Sequence, residues 1–157
     1  MLTRIARSCA VLLAAAPLLA GSSSAAQSGF ESLDPKAIAI KLPSELKWPG
    51  GAGGAEQIVL AGDPSKPGLY VILVKWHSQR NSRPHYHPND RFITVLSGTW
   101  WVGTGRNYDP DSMQPVPAGS FVTHFANEVH YDGAKEGEAV LQIVGMGPAT
   151  ATGAEAK

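Results

Sequence analysis

The sequence predicts an all-β fold, either a closed barrel or a sandwich, and three observations support this prediction. Short runs of apolar, β-branched and aromatic residues recur after residue 55. Gly, Pro, Asn and Asp separate these runs at regular intervals. No stretch past residue 26 carries the 3.6-residue period of an amphipathic helix. Because an open sheet exposes its edge strands, we expect the strands to close on one another.

Seven runs have the composition of strands, and turn residues end each of them. Val, Ile, Thr, Tyr, Phe and Trp, which favour strands, fill these runs. The segment 62–68 reads Gly-Asp-Pro-Ser-Lys-Pro-Gly and separates the first two runs as a turn. Together the runs define one barrel domain over 56–148. The predicted strands span residues 57–61, 69–76, 92–96, 99–102, 120–125, 129–131 and 139–144.

The segments on either side of the barrel carry weaker patterns. Ile38, Ile40 and Leu42 alternate with other residues, which predicts one edge strand in an N-terminal arm over 27–55. This strand could pair with a second copy of the chain and so form a homodimer. Residues 149–157 are small and polar, so we expect a disordered tail.

Residues 1–26 have the pattern of a signal peptide. Arg4 and Arg7 form a basic start, residues 9–20 are apolar, and the small residues 22–26 provide a cleavage site. The apolar run is shorter than the ~20 residues that cross a bilayer. We therefore expect export to the periplasm or the outside of a bacterium, with no membrane attachment after cleavage.

The charge balance of the mature chain argues against a nucleic-acid partner. The full chain has 13 basic and 13 acidic side chains. Loss of the signal peptide removes two arginines and the single cysteine, Cys9, which leaves 11 basic side chains. A near-neutral domain without a basic patch is not typical of nucleic-acid binding. A cysteine-free chain is also compatible with an oxidising compartment.

Three histidines are spaced so that a β fold can bring them together. His85 and His87 lie two residues apart, and residues i and i+2 of a strand project from the same face. Pro84 and Pro88 flank them and make a helix unfavourable. His130 lies in a later predicted strand. Because imidazole nitrogens are common ligands of transition metals, the spacing predicts a metal site.

Two motifs around these histidines resemble those of the cupin superfamily. The first cupin motif has an H-x-H pair, a later glutamate and a final glycine, and here the H-x-H pair is followed by Gly98. The second motif runs from a glycine through P-x-G to a histidine, and here Gly119 precedes His130 at that spacing. Asn127 stands where the second motif has its later glycine. Asparagine tolerates the left-handed backbone conformation that this position needs.

The resemblance covers residues 69–147 and implies a double-stranded β-helix, the jelly-roll barrel of small, exported bacterial cupins. It also implies one divalent transition metal (Fe, Mn, Ni, Cu or Zn) bound by His85, His87 and His130. A fold by itself names no reaction.

One position departs from the motif, because Arg91 stands where cupins usually carry a glutamate ligand. A guanidinium cannot ligate a metal, and it stays charged. Four interpretations remain open. Asp90 could replace the glutamate in a register shifted by one residue, or the site could use three histidines while Arg91 grips an anionic substrate. The pocket could instead hold an anion without a metal, between Arg91 and protonated imidazoles, or the barrel could be purely structural.

Two further side chains join Arg91 as candidate catalytic groups. His124 lies just ahead of the turn in the second motif and could act as an acid–base group or as a fourth ligand. Gln142 is the polar residue of an otherwise apolar strand. If Leu141 and Ile143 pack outward, the Gln142 amide points into the barrel, where a buried amide needs a hydrogen-bond partner.

These observations predict a metal-dependent enzyme that acts on a small polar or anionic molecule. Three neutral donors would leave the ion its full double charge and open positions for the substrate. Dioxygenase, isomerase, decarboxylase and lyase chemistry are all compatible with such a site. The alternative is a non-catalytic periplasmic binding module for a small anion or a metal, which the missing carboxylate ligand favours.

Overall fold

The computed structural model describes residues 33–50 and 53–157. The predicted signal peptide, residues 1–26, lies outside the described residues. Within the described part of the chain, no helix is long and apolar enough to cross a membrane.

The chain divides into two units between Ile40 and Lys41. In the described part of the first unit, residues 33–40, the backbone turns at Asp34. The Asp34 carbonyl oxygen accepts hydrogen bonds from two backbone N–H groups, at 2.9 and 3.0 Å. The Asp34 side chain accepts a third, from the backbone N–H of Lys36 at 2.9 Å.

The edge strand predicted in the N-terminal arm is not present in the described residues. Residues 33–50 contain no strand, and a 3-10 turn spans Pro43–Glu45. The carboxylate of Glu45 accepts the backbone N–H of Leu42 at 2.6 Å. Alternating apolar residues favour a strand only where a neighbouring strand supplies hydrogen bonds, and Pro43 removes one donor. The homodimer stays a prediction, but its predicted contact strand was wrong.

The second unit is built from eleven strands in the part of the chain that the structure describes. They are β1 (Ala55–Ala61), β2 (Gly68–Trp76), β3 (Arg80–Asn81), β4 (His85–Tyr86), β5 (Arg91–Ser97), β6 (Thr99–Thr104), β7 (Gln114–Pro117), β8 (Phe121–His124), β9 (His130–Ala134), β10 (Ala139–Gly147) and β11 (Thr152–Gly153).

The strands form two antiparallel sheets. The first sheet has the order β1-β2-β10-β5-β8, and the second has the order β11-β4-β9-β6-β7, with β3 paired to β9. All seven predicted strands are present, as β1, β2, β5, β6, β8, β9 and β10, so the all-β prediction is confirmed. The four short strands β3, β4, β7 and β11 are not among the predicted runs, because two to four residues are too few to show a period.

Both sheets contribute side chains to one hydrophobic core. Tyr70, Ile93 and Leu141 project from the first sheet and are at most 1% exposed. Trp100 and Ala134 belong to the same cluster and come from the second sheet. Fully burying one large apolar side chain stabilises the fold by roughly 1.5–3 kcal/mol, so this cluster holds the two sheets together.

The C-terminal tail is ordered, so the prediction of a disordered tail was wrong. β11 pairs with β4, and Gly153 lies opposite His85. The side chain of Arg83 binds the carboxylate of Glu155 through two nitrogens. A small, polar segment stays disordered only when nothing binds its backbone, and here the free edge of β4 offers hydrogen bonds.

Candidate metal centre

β4 and β9 bring the three predicted histidines together. His85 and His130 lie opposite one another in the sheet, with ring centroids 4.5 Å apart. His87 follows β4, and its ring lies 5.0 Å from that of His85 and 5.3 Å from that of His130. One potential ligand atom from each side chain lies within 4.8 Å of the other two. The three imidazoles therefore converge, as their spacing predicts.

A backbone carbonyl group orients each of the three rings. Nδ1 of His85 and Nδ1 of His130 lie 2.9 and 3.0 Å from a carbonyl oxygen two residues earlier in the chain. Nδ1 of His87 lies 2.8 Å from the carbonyl oxygen of Thr150, in the C-terminal tail. A carbonyl oxygen can only accept, so each Nδ1 carries the proton and each Nε2 keeps its lone pair. Metal-binding histidines are commonly oriented in this way.

The donor set fits a divalent transition metal. Nε2 of His130 is buried and has no hydrogen-bond partner among the described residues. A buried lone pair without a partner calls for an explanation, and a metal ligand role supplies one. With metal–nitrogen bonds of about 2.0–2.1 Å, two nitrogens on one ion lie at most about 4.2 Å apart. The 4.8 Å limit on the present spacing is close to that span, so small side-chain movements would suffice.

The turn before β9 is tied to the same site. Asn127 has a φ of 63°, which confirms the left-handed conformation predicted for it. Its N–H donates to the carbonyl oxygen of His87 at 2.7 Å. Asp90 holds this turn as well, because its carboxylate accepts the N–H of Ala126 at 2.7 Å. Asp90 is exposed and lies outside the histidine group, so its predicted alternative role as a ligand was wrong.

Arg91 reaches the histidine group from the first residue of β5. It alternates with the buried Ile93 and Val95 and shares their inner face. Its Nη1 donates a hydrogen bond to Nε2 of His87. Its Nε is buried and has no hydrogen-bond partner in the described part of the chain. The guanidinium therefore uses the lone pair that a metal would need on His87.

His124 lies beside the group of three rather than within it. It is the cross-strand neighbour of Arg91. Its ring centroid lies 3.7 Å from that of His130 and 5.3 Å from that of Trp100. Its Nδ1 is buried and, among the described residues, has no hydrogen-bond partner. The group of converging ligand atoms does not include His124, so a role as fourth ligand is not supported.

Burial lowers the pKa of three of these imidazoles well below the ordinary value. The pKa of His87 falls to about 3, because burial and then the charge of Arg91 disfavour a second positive charge. Burial and the nearby His130 lower the pKa of His124 to about 2. Burial lowers the pKa of His130 to about 4, although Asp132 opposes the shift. With these lowered pKa values, His87, His124 and His130 are neutral at pH 7 and bring no positive charge to an anion bound there.

Gln142 does not reach the site, so this prediction was wrong. Leu141 and Ile143, on either side of it, are 0% and 3% exposed and belong to the core. Gln142 therefore projects from the opposite, outer face of β10. Val140 and Val144 make that outer face apolar as well, so the alternation in the sequence could not distinguish the two faces.

Two groups near the site, Asp132 and Thr150, were not predicted from the sequence. Asp132 follows His130 by two residues in β9 and shares its face. Its carboxylate accepts the hydroxyl of Ser82 at 2.8 Å, and it is only 9% exposed. The same two-residue period that paired the first two histidines could have found it. Thr150 had no such signal, because its contact with His87 depends on the path of the tail.

Known proteins share this architecture. No family model and no curated protein matches the chain. Among solved structures, it is similar to the polyketide cyclase RemF from Streptomyces resistomycificus, with a TM-score of 0.62 and 13% identity over 76% of this chain and 87% of that one. An uncharacterised Klebsiella pneumoniae protein with a double-stranded β-helix domain has a TM-score of 0.58 and 19% identity, over 76% of this chain and 99% of its own. KdgF from a Halomonas species has a TM-score of 0.55 and 17% identity, over 69% of this chain and 94% of its own.

At identities of 13 to 19%, these likenesses establish a fold and not an activity. They agree with the two sequence motifs, which lie on β4 and β5 and on β8 and β9. The chain therefore has the double-stranded β-helix fold of the cupins.

Proposed function

We propose that the protein is a metal-dependent enzyme that acts on a small polar or anionic molecule. The observation that carries this proposal is the convergence of three imidazoles, each with its Nδ1 bound to a carbonyl oxygen. His85, His87 and His130 would hold one divalent ion, and Fe, Mn, Ni, Cu and Zn all accept imidazole ligands.

A bound ion of this kind supplies Lewis-acid or redox chemistry to a substrate. Side chains of the protein would bind and orient the substrate. Arg91 binds and orients the anionic end of the substrate through its guanidinium fork. His124 is neutral at pH 7 and offers a buried Nδ1 for a hydrogen bond to the substrate. Dioxygenase, isomerase, decarboxylase and lyase reactions are all compatible with these tasks, and one structural neighbour is a cyclase.

Elemental analysis of the purified protein tests the proposal. We expect about one divalent transition metal per chain after loosely bound ions are removed, because three imidazoles form the site. The His85→Ala and His130→Ala variants should lose this metal. His77→Ala is the matched control, since His77 pairs with Glu138 away from the group. Equal metal content in all the variants would contradict the proposal.

A non-catalytic binding module is the second candidate, and the position of Arg91 favours it. A cation at a usual ligand position, hydrogen-bonded to His87, should weaken metal binding. A metal-loaded sample with exchangeable water on the ion, seen by pulsed electron paramagnetic resonance, would support the enzyme. A metal-free sample that binds a small carboxylate would support the binding module.

We also propose that the protein works in the periplasm or outside the cell. The basic start, apolar run and small-residue site in 1–26 support export. Cell fractionation followed by mass spectrometry of the N-terminus tests this. We expect the mature chain to begin at Gln27 and to occur outside the cytoplasm. An intact N-terminus in the cytoplasmic fraction would contradict it.

A further inference from the structure

We propose that Arg91 and the metal ion are mutually exclusive partners of His87, and that a small carboxylate favours metal loading by binding the displaced guanidinium. This inference rests on the proposed metal site and concerns its regulation. Metal binding and anion binding at this site are then positively coupled.

The hydrogen bonds of His87 require this exclusivity. Its Nδ1 carries the proton, because it lies 2.8 Å from the Thr150 carbonyl oxygen, which can only accept. Nε2 therefore has one lone pair in the ring plane, and Arg91 Nη1 donates to it. The same lone pair is the only ring site through which His87 can bind a metal. One lone pair serves one partner, so the ion can bind His87 only after Arg91 has moved away.

The positive charge of Arg91 explains why an anion would affect metal binding. Among the described residues, Arg91 forms no ion pair with a carboxylate. It is partly buried, and its Nε has no hydrogen-bond partner within the described part of the chain. A divalent ion beside this unpaired guanidinium is repelled by it, and a negatively charged ligand between them relieves the repulsion.

The neighbours of Arg91 indicate which anion would fit. His124 lies directly opposite Arg91 on β8, and its Nδ1 is also buried without a partner among the described residues. Two neighbouring side chains thus offer unused polar atoms, and one of them is a planar guanidinium. A carboxylate matches this arrangement, because its two oxygens can accept from the guanidinium fork. The ligand class is therefore a small carboxylate.

Zinc affinity measured on the full chain, with and without acetate, tests the coupling. The ionic strength is kept constant with perchlorate, and the competition assay is corrected for zinc–acetate complexes in solution. We expect acetate to tighten zinc binding severalfold in the native protein. Arg91→Met should bind zinc about tenfold more tightly than the native protein without acetate, and acetate should no longer matter. A charge-assisted hydrogen bond is strong enough to cause a change of this size.

Matched variants separate the possible outcomes. Arg80→Met removes an exposed arginine from β3 and should leave both zinc affinity and the acetate effect unchanged. Arg91→Gln removes the charge but keeps a polar end group, and it replaces Arg91→Met if that variant fails to fold. If both Arg91 variants bind zinc like the native protein, the inference is overturned while the metal site stands. If zinc binds neither the native protein nor any Arg91 variant, the proposed function itself fails.

Discussion

The two ring nitrogens of His87 have different partners, and the chemistry of the site depends on that difference. The Thr150 carbonyl oxygen holds Nδ1, and the Arg91 guanidinium holds Nε2. His130 has the same kind of carbonyl bond at Nδ1, but its Nε2 is buried without a partner in the described residues. One arginine thus makes two similar ligands unequal before any metal binds.

We expect Arg91→Glu to tighten zinc binding by at least about tenfold. The substitution removes a cation from Nε2 of His87 and adds an anionic ligand at the same position, and both changes favour a divalent ion. Competition with a chromogenic chelator measures the affinity. Arg80→Glu is the control for the change in net charge. Unchanged affinity in Arg91→Glu would show that the side chain of residue 91 does not lie beside the ion.

At Asn127, we expect Asn127→Ala to lower the free energy of unfolding by about 1–2 kcal/mol, because residue 127 has a φ of 63°. Asparagine tolerates this left-handed conformation because its short polar side chain can hydrogen-bond locally, whereas alanine has the strained Cβ without that compensation and glycine has no Cβ. Asn127→Gly is therefore the matched control and should unfold at nearly the native urea concentration. If both variants were destabilised equally, the loss of the amide side chain, and not backbone strain, would be the cause of the lower free energy of unfolding.

At the scale of secondary-structure elements, the shortest strands help to position the histidines of the site. β4 contains two residues, yet it pairs with β9 on one side and with β11 on the other. The N–H of Ala154 donates to the carbonyl oxygen of Pro84 at 2.8 Å, and Glu155 pairs with Arg83. The C-terminal tail thus covers the edge of the strand that carries His85.

We expect truncation after Pro148 to weaken zinc binding by about 10–100-fold, the usual effect of losing a group that orients a metal ligand. The truncation removes β11 and the Thr150 carbonyl oxygen that fixes the tautomer of His87. Zinc competition measures the affinity, and long-range proton–nitrogen NMR reports the tautomer. Removal of Lys157 alone is the control. Native affinity after the long truncation would mean that the tail does not orient His87.

At the scale of the whole molecule, the buried imidazoles make stability depend on pH. The pKa values of His87, His124 and His130 fall to about 3, about 2 and about 4 in the folded protein. Each lies below the unfolded value of about 6.5, so the unfolded chain binds more protons over the window between them. The stabilisation that comes from these three neutral histidines is fully present above about pH 6.5 and is lost as the pH falls. Glu56 and Asp63 also have lowered carboxyl pKa values, but these groups change the stability only below about pH 4.5.

We therefore expect the free energy of unfolding of the metal-free protein to fall between pH 6.5 and pH 5. Each histidine contributes a slope of at most about 1.4 kcal/mol per pH unit. Urea titrations in the presence of a chelator measure this slope. His124→Gln should reduce the slope, because it removes one of the three groups. A flat profile over this window would mean that the imidazoles are not buried as neutral rings.

Local pattern predicted the barrel strands correctly, although the alternation at 38–42 did not produce the expected strand in the described residues. The strands β1, β2, β5, β6, β8, β9 and β10 could be predicted because a two-residue period and turn residues are properties of the chain itself. The convergence of His85, His87 and His130 followed from the same period and the two motifs. The conformation of Asn127 followed from its place in the turn.

The amino-acid sequence by itself determined that this is an all-β domain in which three imidazoles can meet. Only the tertiary structure decided that Arg91 occupies Nε2 of His87, that Gln142 faces outward, and that the tail holds β4. The physical reason is that these contacts join distant segments, or depend on which of two apolar faces of β10 meets the core. A local period carries no information about either choice.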